Sequence, residues 1–208
     1  MYSIFENLSE EKRSKIIDCA LAEFAEKGYE QASTNNIVKE AGISKGILFH
    51  YFKTKKDLYK YLLFYSIDIM YTKMIKMMDF KSNDYFERML EVSAIKMSIQ
   101  IEYPEIYSMV VDMYRSNQQD IIQEIVARYM PLLGEYFQKL NAGIDMTKFR
   151  EGTDINRLNE IITWIAEGMS NKLVKGISKN IEDMPRVRQM MEIEFLKYAE
   201  MLKAGVYK

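Results

Sequence analysis

Residues 33–58 read STNNIVKEAGISKGILFHYFKTKKDL, and this stretch decides the fold. Ser33 and Thr34 are residues that cap helices, because their hydroxyls can accept a bond from an otherwise unpaired amide. Ile37, Val38 and Ala41 recur at helical spacing, so one face of the helix they open is buried. Gly42 follows as a stop, where a residue without a Cβ takes a positive φ at little cost. Ile43 plugs the corner, and Ser44 caps a second short helix that starts at Lys45 and Gly46. On that second helix Leu48 and Phe52 face inward together, which leaves Gly46, Ile47, Phe49, His50 and Tyr51 on or near the outer faces.

Such an outward face is odd for a helix that meets only water, and it suits a nucleic acid. Lys45 can reach a phosphate or a guanine edge, Gly46 permits close backbone approach, and Ile47 can touch a thymine methyl. His50 and Tyr51 can donate to phosphate oxygens. From Ser44 to Lys60 there are five lysines (45, 53, 55, 56 and 60) and one acid, Asp57, so the local charge is 5 − 1 = +4 in a chain of net charge −1. Positive charge is thus concentrated where a phosphate backbone would lie. Taken alone, the same lysines fit a solvated run on an ordinary helical hairpin.

The run Ile16-Ile17-Asp18-Cys19-Ala20-Leu21-Ala22-Glu23-Phe24-Ala25-Glu26-Lys27-Gly28-Tyr29 precedes this motif. Together with Ala32-Ser33-Thr34, Ile37, Glu40 to Gly46, Leu48 and His50 to Leu58, it resembles the DNA-binding domain of the TetR family of bacterial transcriptional regulators. The resemblance covers roughly the first third of the chain. It implies a three-helix helix-turn-helix head, an all-helical ligand-binding body, a homodimer and repression released by a small molecule. It also carries roles over by position. Thr34 matches a common DNA contact, Lys45 and Gly46 match positions that meet base edges, and Phe49, His50 and Tyr51 match an aromatic cluster that grips bases and backbone. Lys55 matches a phosphate-binding lysine. Phe49 stands where the family usually has tyrosine, so a phosphate bond from that hydroxyl is lost.

Composition bounds the alternatives. The 208 residues include three prolines and nine glycines, which fits long helices with few turns. Cys19 is the single cysteine, so no disulfide framework exists, as expected of a reducing cytoplasm. The single histidine, His50, lies inside the motif, so neither a Cys/His metal cluster nor a conventional catalytic triad can be assembled. No catalytic residue, metal or cofactor is expected. No run of about 18 apolar residues would span a membrane, and Met1 to Glu10 lacks the pattern of a signal peptide.

The expected architecture is all-α, with about nine helices and a boundary between residues 1–53, the DNA-binding head, and 54–208, the ligand-binding and dimerisation body. The first helix runs from Glu10 to Lys27 behind a Ser9 cap, and Gly28 stops it. Thr54 and Asp57 form a capping box for a long helix reaching Met78, which joins head to body. Further helices span 84–102, 104–115, 121–140 with a kink or break at Pro131, 154–176 and 184–203. Residues 141–153 are the least regular stretch.

Sixteen methionines and fifteen tyrosines are adaptable core filler by default, and they also suit a pocket for a small apolar or amphipathic effector. Candidate lining residues are Tyr107, Met109, Met113 and Tyr114 on one helix, with Met130, Phe137 and Trp164 beyond it. Ile161, Ile165 and Met169 form a stripe on one late helix, and Met191, Phe195 and Tyr198 another on the last. Such stripes alone read more readily as internal core. The resemblance assigns them to a dimer seam, and a dimer places two reading helices about 34 Å apart on a palindromic duplex. The resulting expectation is a repressor released by an effector. The alternative is a DNA-bound scaffold of the same fold that acts through protein partners, and an enzyme is the least favoured reading.

Overall fold

The computed structural model describes residues 2–115, 118–176 and 184–208, and of a few side chains within its helices, among them those of Tyr114 and Met191, nothing is described. Among the described residues there are ten α-helices: α1 (Ser3–Glu6), α2 (Glu10–Gln31), α3 (Thr34–Ala41), α4 (Lys45–Tyr51), α5 (Lys55–Met77), α6 (Tyr85–Glu102), α7 (Pro104–Arg115), α8 (Gln119–Asn141), α9 (Ile155–Gly176) and α10 (Met184–Val206). The expected helices are α2 to α10. The addition is α1, a single turn too short to show a period.

The chain divides into two compact units, residues 1–77 with 102–136, and residues 78–101 with 137–208. In the first, α7 packs on α2 and α5, and α3 lies between α2 and α4. Ile17, Leu21 and Phe24 face inward from α2, as their spacing predicts, to meet Ile37, Leu48, Phe52, Leu58 and Leu62. Cys19 is half-buried against this core, and burial pushes its thiol above the ordinary value.

Local signals are realised unevenly. Gly28 takes φ 69° and ψ 171°, a region that L side chains avoid, so the regular helix stops there as expected, and a further short turn to Gln31 follows across the kink. Gly42 is left-handed, with φ 70° and ψ 32°, and ends α3. Thr54 and Asp57 form the expected reciprocal pair, each backbone N–H donating to the other's side chain at 3.0 Å. Two expected caps are not made. Ser9 and Ser33 occupy cap positions without a side-chain bond. At α3 the carboxylate of Glu23 accepts from the N-cap residue's own N–H, that of Ser33, at 2.8 Å, and its negative charge suits a helix N-terminus. α8 continues unbroken through Pro131.

The second unit is organised by two buried polar groups. Arg88 donates from Nη1 to the carbonyls of Leu140 (2.8 Å) and Ala142 (2.6 Å), so a cation closes the C-terminal end of α8. Asp84 caps α6 by accepting from the N–H groups of Phe86 (2.9 Å) and Glu87 (3.2 Å), and its other oxygen meets Lys148 Nζ at 2.9 Å. Burial opposes ionisation of Asp84, but the Lys148 ammonium and the Glu87 amide outweigh it and hold the carboxyl below its ordinary 3.8. A depressed folded pKa stabilises the fold above the unfolded value and loses that contribution as pH falls through the folded value. Urea midpoints are therefore expected to drop more steeply below pH 3.8 for the native chain than for Asp84→Asn; parallel curves would remove Asp84 from the acid response.

Candidate nucleic-acid interface

The outward face of α4 is built by a cap, two inward anchors and a free end. Ser44 Oγ accepts the Ile47 N–H at 3.2 Å, fixing the first turn. Leu48 and Phe52 are each 1% exposed and hold the helix to the core. Gly46 and His50 stand in solvent, Ile47 is 43% exposed, and Phe49 and Tyr51 are half-buried. Lys45 Nζ lies 5.9 Å from the centre of the Phe49 ring, one turn along the same face. An added Cβ at Gly46 would meet nothing nearer than Ser44 Oγ at 3.8 Å. No neighbour inside the protein requires glycine there.

The lysines that follow differ in their surroundings. Lys56 pairs with Asp120 at 2.7 Å and Lys60 with Glu124 at 2.5 Å, both acids on α8. The Asp120 hydrogen bond raises the Lys56 pKa, and the Lys56 bond lowers that of Asp120. Counting those two acids, the patch carries 4 − 2 = +2. Lys55 Nζ donates to the Glu30 carbonyl at 3.2 Å and lies 5.0 Å from the Tyr29 ring centre, which seats it against the last turn of α2. Lys45 and Lys53 have no ion pair among the described residues. Thr34 is the first residue of α3, half-buried like Ser33.

Residues 16–62 match the family model described as bacterial regulatory proteins, tetR family. A fatty acid metabolism regulator protein of Bacillus subtilis (strain 168) is 25% identical over 189 residues, covering 78% of this chain and 88% of that protein. Residues 16–62 thus form a segment of the TetR type. Solved structures share its fold. A TetR family transcriptional regulator from Chloroflexus aurantiacus J-10-FL superposes with a TM-score of 0.70 at 24% identity, covering 99% of this chain and 98% of that one. The fatty acid degradation regulator FadR from Bacillus halodurans gives a TM-score of 0.63 at 21% identity, covering 89% and 97%. The chain is thus similar to DNA-binding transcriptional regulators, and the relatives it matches are regulators and not enzymes.

Elsewhere in the chain the candidate residues are dispersed. Met109 and Met113 are core residues of the first unit, Tyr107 is half-buried, and Met130 stands exposed on α8. In the second unit Phe137 is half-buried and Trp164 is 63% exposed. The side chains of Tyr114 and Met191 lie outside the described residues. A cleft of about 750 Å³ in the first unit is lined by Tyr2, Glu6, Tyr61, Phe64, Asp68 and Arg128 among others, and includes none of the six candidates whose side chains are described. On α9, Ile161 is exposed while Ile165 and Met169 are half-buried. Trp164 is exposed with Ile161 and Gly168, so the outward stripe is turned by one residue from the 161-165-169 spacing. On α10, Tyr198 is exposed, but Phe195 is 7% exposed and serves its own unit's core. Among the described residues, Met190, Ile193, Leu196 and Met201 are exposed large apolar residues there that periodicity did not single out.

Proposed function

We propose that this regulator is a repressor whose two copies read a palindromic operator and which a small amphipathic effector releases. The observation that carries the DNA-reading half is the face of α4, with Gly46, Ile47 and His50 exposed beside an unpaired Lys45. In this reading the head is residues 1–53 and the body residues 54–208. Lys45 meets a guanine edge, Gly46 lets the backbone approach, and Ile47 and Phe49 make apolar contact with thymine methyls. His50, Tyr51, Ser33, Thr34 and the Ser44 turn face the phosphates, and Lys55 grips the backbone from the start of α5. Exposed Ile161, Trp164, Met190 and Tyr198 support a seam between copies. We place the protein in the cytoplasm with its DNA target; no helix among the described residues is long and apolar enough to cross a membrane.

The effector half rests on the similarity to the Bacillus subtilis fatty acid metabolism regulator, which favours a ligand with an acyl chain. Binding would shift the population between DNA-competent and incompetent states by differential affinity. The test is selection of bound sequences from random duplexes, repeated with fatty acids of graded chain length and with extracted metabolites. A palindrome whose occupancy falls with one class of additive is the expected result. A palindrome that no additive releases would instead support the scaffold reading, and no enriched sequence would end both.

Lys55→Ala is expected to lower the slope of log affinity against log salt by about 1. An unchanged slope would remove Lys55 from the interface.

A further inference from the structure

The N-terminal turn α1 has no role in the reading above, yet its side chains are packed against the end of α4. Phe5 is fully buried. Its ring centre lies 4.7 Å from that of Phe52, 5.6 Å from Tyr51 and 5.2 Å from Tyr61 on α5. Tyr2 adds ring contacts to Phe52 at 5.7 Å and Tyr61 at 5.1 Å, and its hydroxyl donates to the Asp57 carbonyl at 3.2 Å. Two further bonds keep α1 in place. The Tyr61 hydroxyl donates to Glu6 Oε1 at 2.6 Å, and Arg13 Nη1 donates to the Glu6 carbonyl at 2.9 Å. Burial, with the Glu6 carboxylate beside it, holds the Tyr61 phenol above its ordinary value.

α4 is only seven residues long, and its own anchors are Leu48 and Phe52. Two points one turn apart on a single face fix depth better than rotation. Phe5 supplies a third point, behind Tyr51, on the flank of the helix. We infer that Phe5 is a positioning residue for base reading: without touching DNA, it sets the rotation of α4 and the orientation of Tyr51. The inference rests on the DNA-reading assignment of α4.

Base contacts are short and directional, whereas phosphate contacts tolerate small displacements. Loss of Phe5 should therefore reduce preference and leave general affinity. The experiment measures dissociation constants of the full chain for the selected duplex and for a scrambled duplex of equal length at one salt concentration. For Phe5→Ala the ratio of the two is expected to fall about tenfold, the scale of one misplaced base contact. Scrambled-duplex affinity and its salt slope should stay as in the native chain, and Phe5→Leu should restore most of the ratio. A purely structural role would lower the active fraction and scale both affinities alike, so an unchanged ratio overturns the inference. If Phe5→Ala does not fold, Tyr2→Ala carries the same test with a smaller expected fall, and an unchanged ratio again overturns it. A native chain with no preference would remove the DNA-reading assignment, and the inference with it; that result is distinct from a native preference that the variants retain.

Discussion

Asp112→Ala is expected to lower the unfolding free energy of the first unit by about 2–3 kcal/mol, because part-buried donors lose their acceptor. Asp112 lies on α7 and reaches the kink in α2. Its Oδ2 accepts the Tyr29 N–H at 3.1 Å and the Tyr59 hydroxyl at 2.9 Å. The Tyr29 amide needs this acceptor because the Gly28 backbone, at φ 69° and ψ 171°, interrupts the helical ladder just before it. The same geometry explains the glycine twice. A side chain there would be strained, and its Cβ would stand 3.1 Å from Asp112 Oδ1. Urea unfolding followed by helix circular dichroism measures the loss. Asp112→Asn, which keeps one acceptor oxygen of the same shape, should lose less. Equal midpoints for the native chain and Asp112→Ala would show that the pair of bonds contributes nothing net.

Lys45→Ala is expected to weaken binding to the selected operator by about 1–3 kcal/mol, with a smaller effect on random duplex. The argument is one of availability. Lys56 and Lys60 spend their charge on Asp120 and Glu124, whereas Lys45 at the first turn of α4 has no ion pair among the described residues. Its ammonium lies near the Phe49 ring, an arrangement that steadies a cation without neutralising it. Anisotropy titrations of both duplexes at one salt concentration give the comparison. An equal fall on both would make Lys45 a phosphate clamp and move base reading to Ile47 and the aromatic residues.

What the sequence made legible was local. Gly42, Ile43 and Ser44 mark the turn, Leu48 and Phe52 mark the inward face, and Thr54 with Asp57 marks the next helix; each signal is complete within about four residues. What it hid depends on partners far along the chain. Glu23 accepts the Ser33 N–H from ten residues away, and Asp112 meets Tyr29 from 83 residues away. The pairs of Lys56 and Lys60 lie 64 residues off on α8, so a count of local charge overstates the patch. Periodicity also leaves rotation open. It marks 161, 165 and 169 as apolar, but packing decides that Trp164 faces out and Phe195 faces in. α1 was invisible because a four-residue turn has no period to detect.

The lysine–acid pairs joining α5 to α8 bear on how the protein finds its target. Each ammonium already neutralised at home is one that need not displace a condensed cation from the duplex, so the grip on arbitrary sequence is weaker and its salt sensitivity shallower. In the proposed reading, recognition then rests on α4, and a rise in ionic strength is expected to cost less occupancy than the raw lysine tally implies.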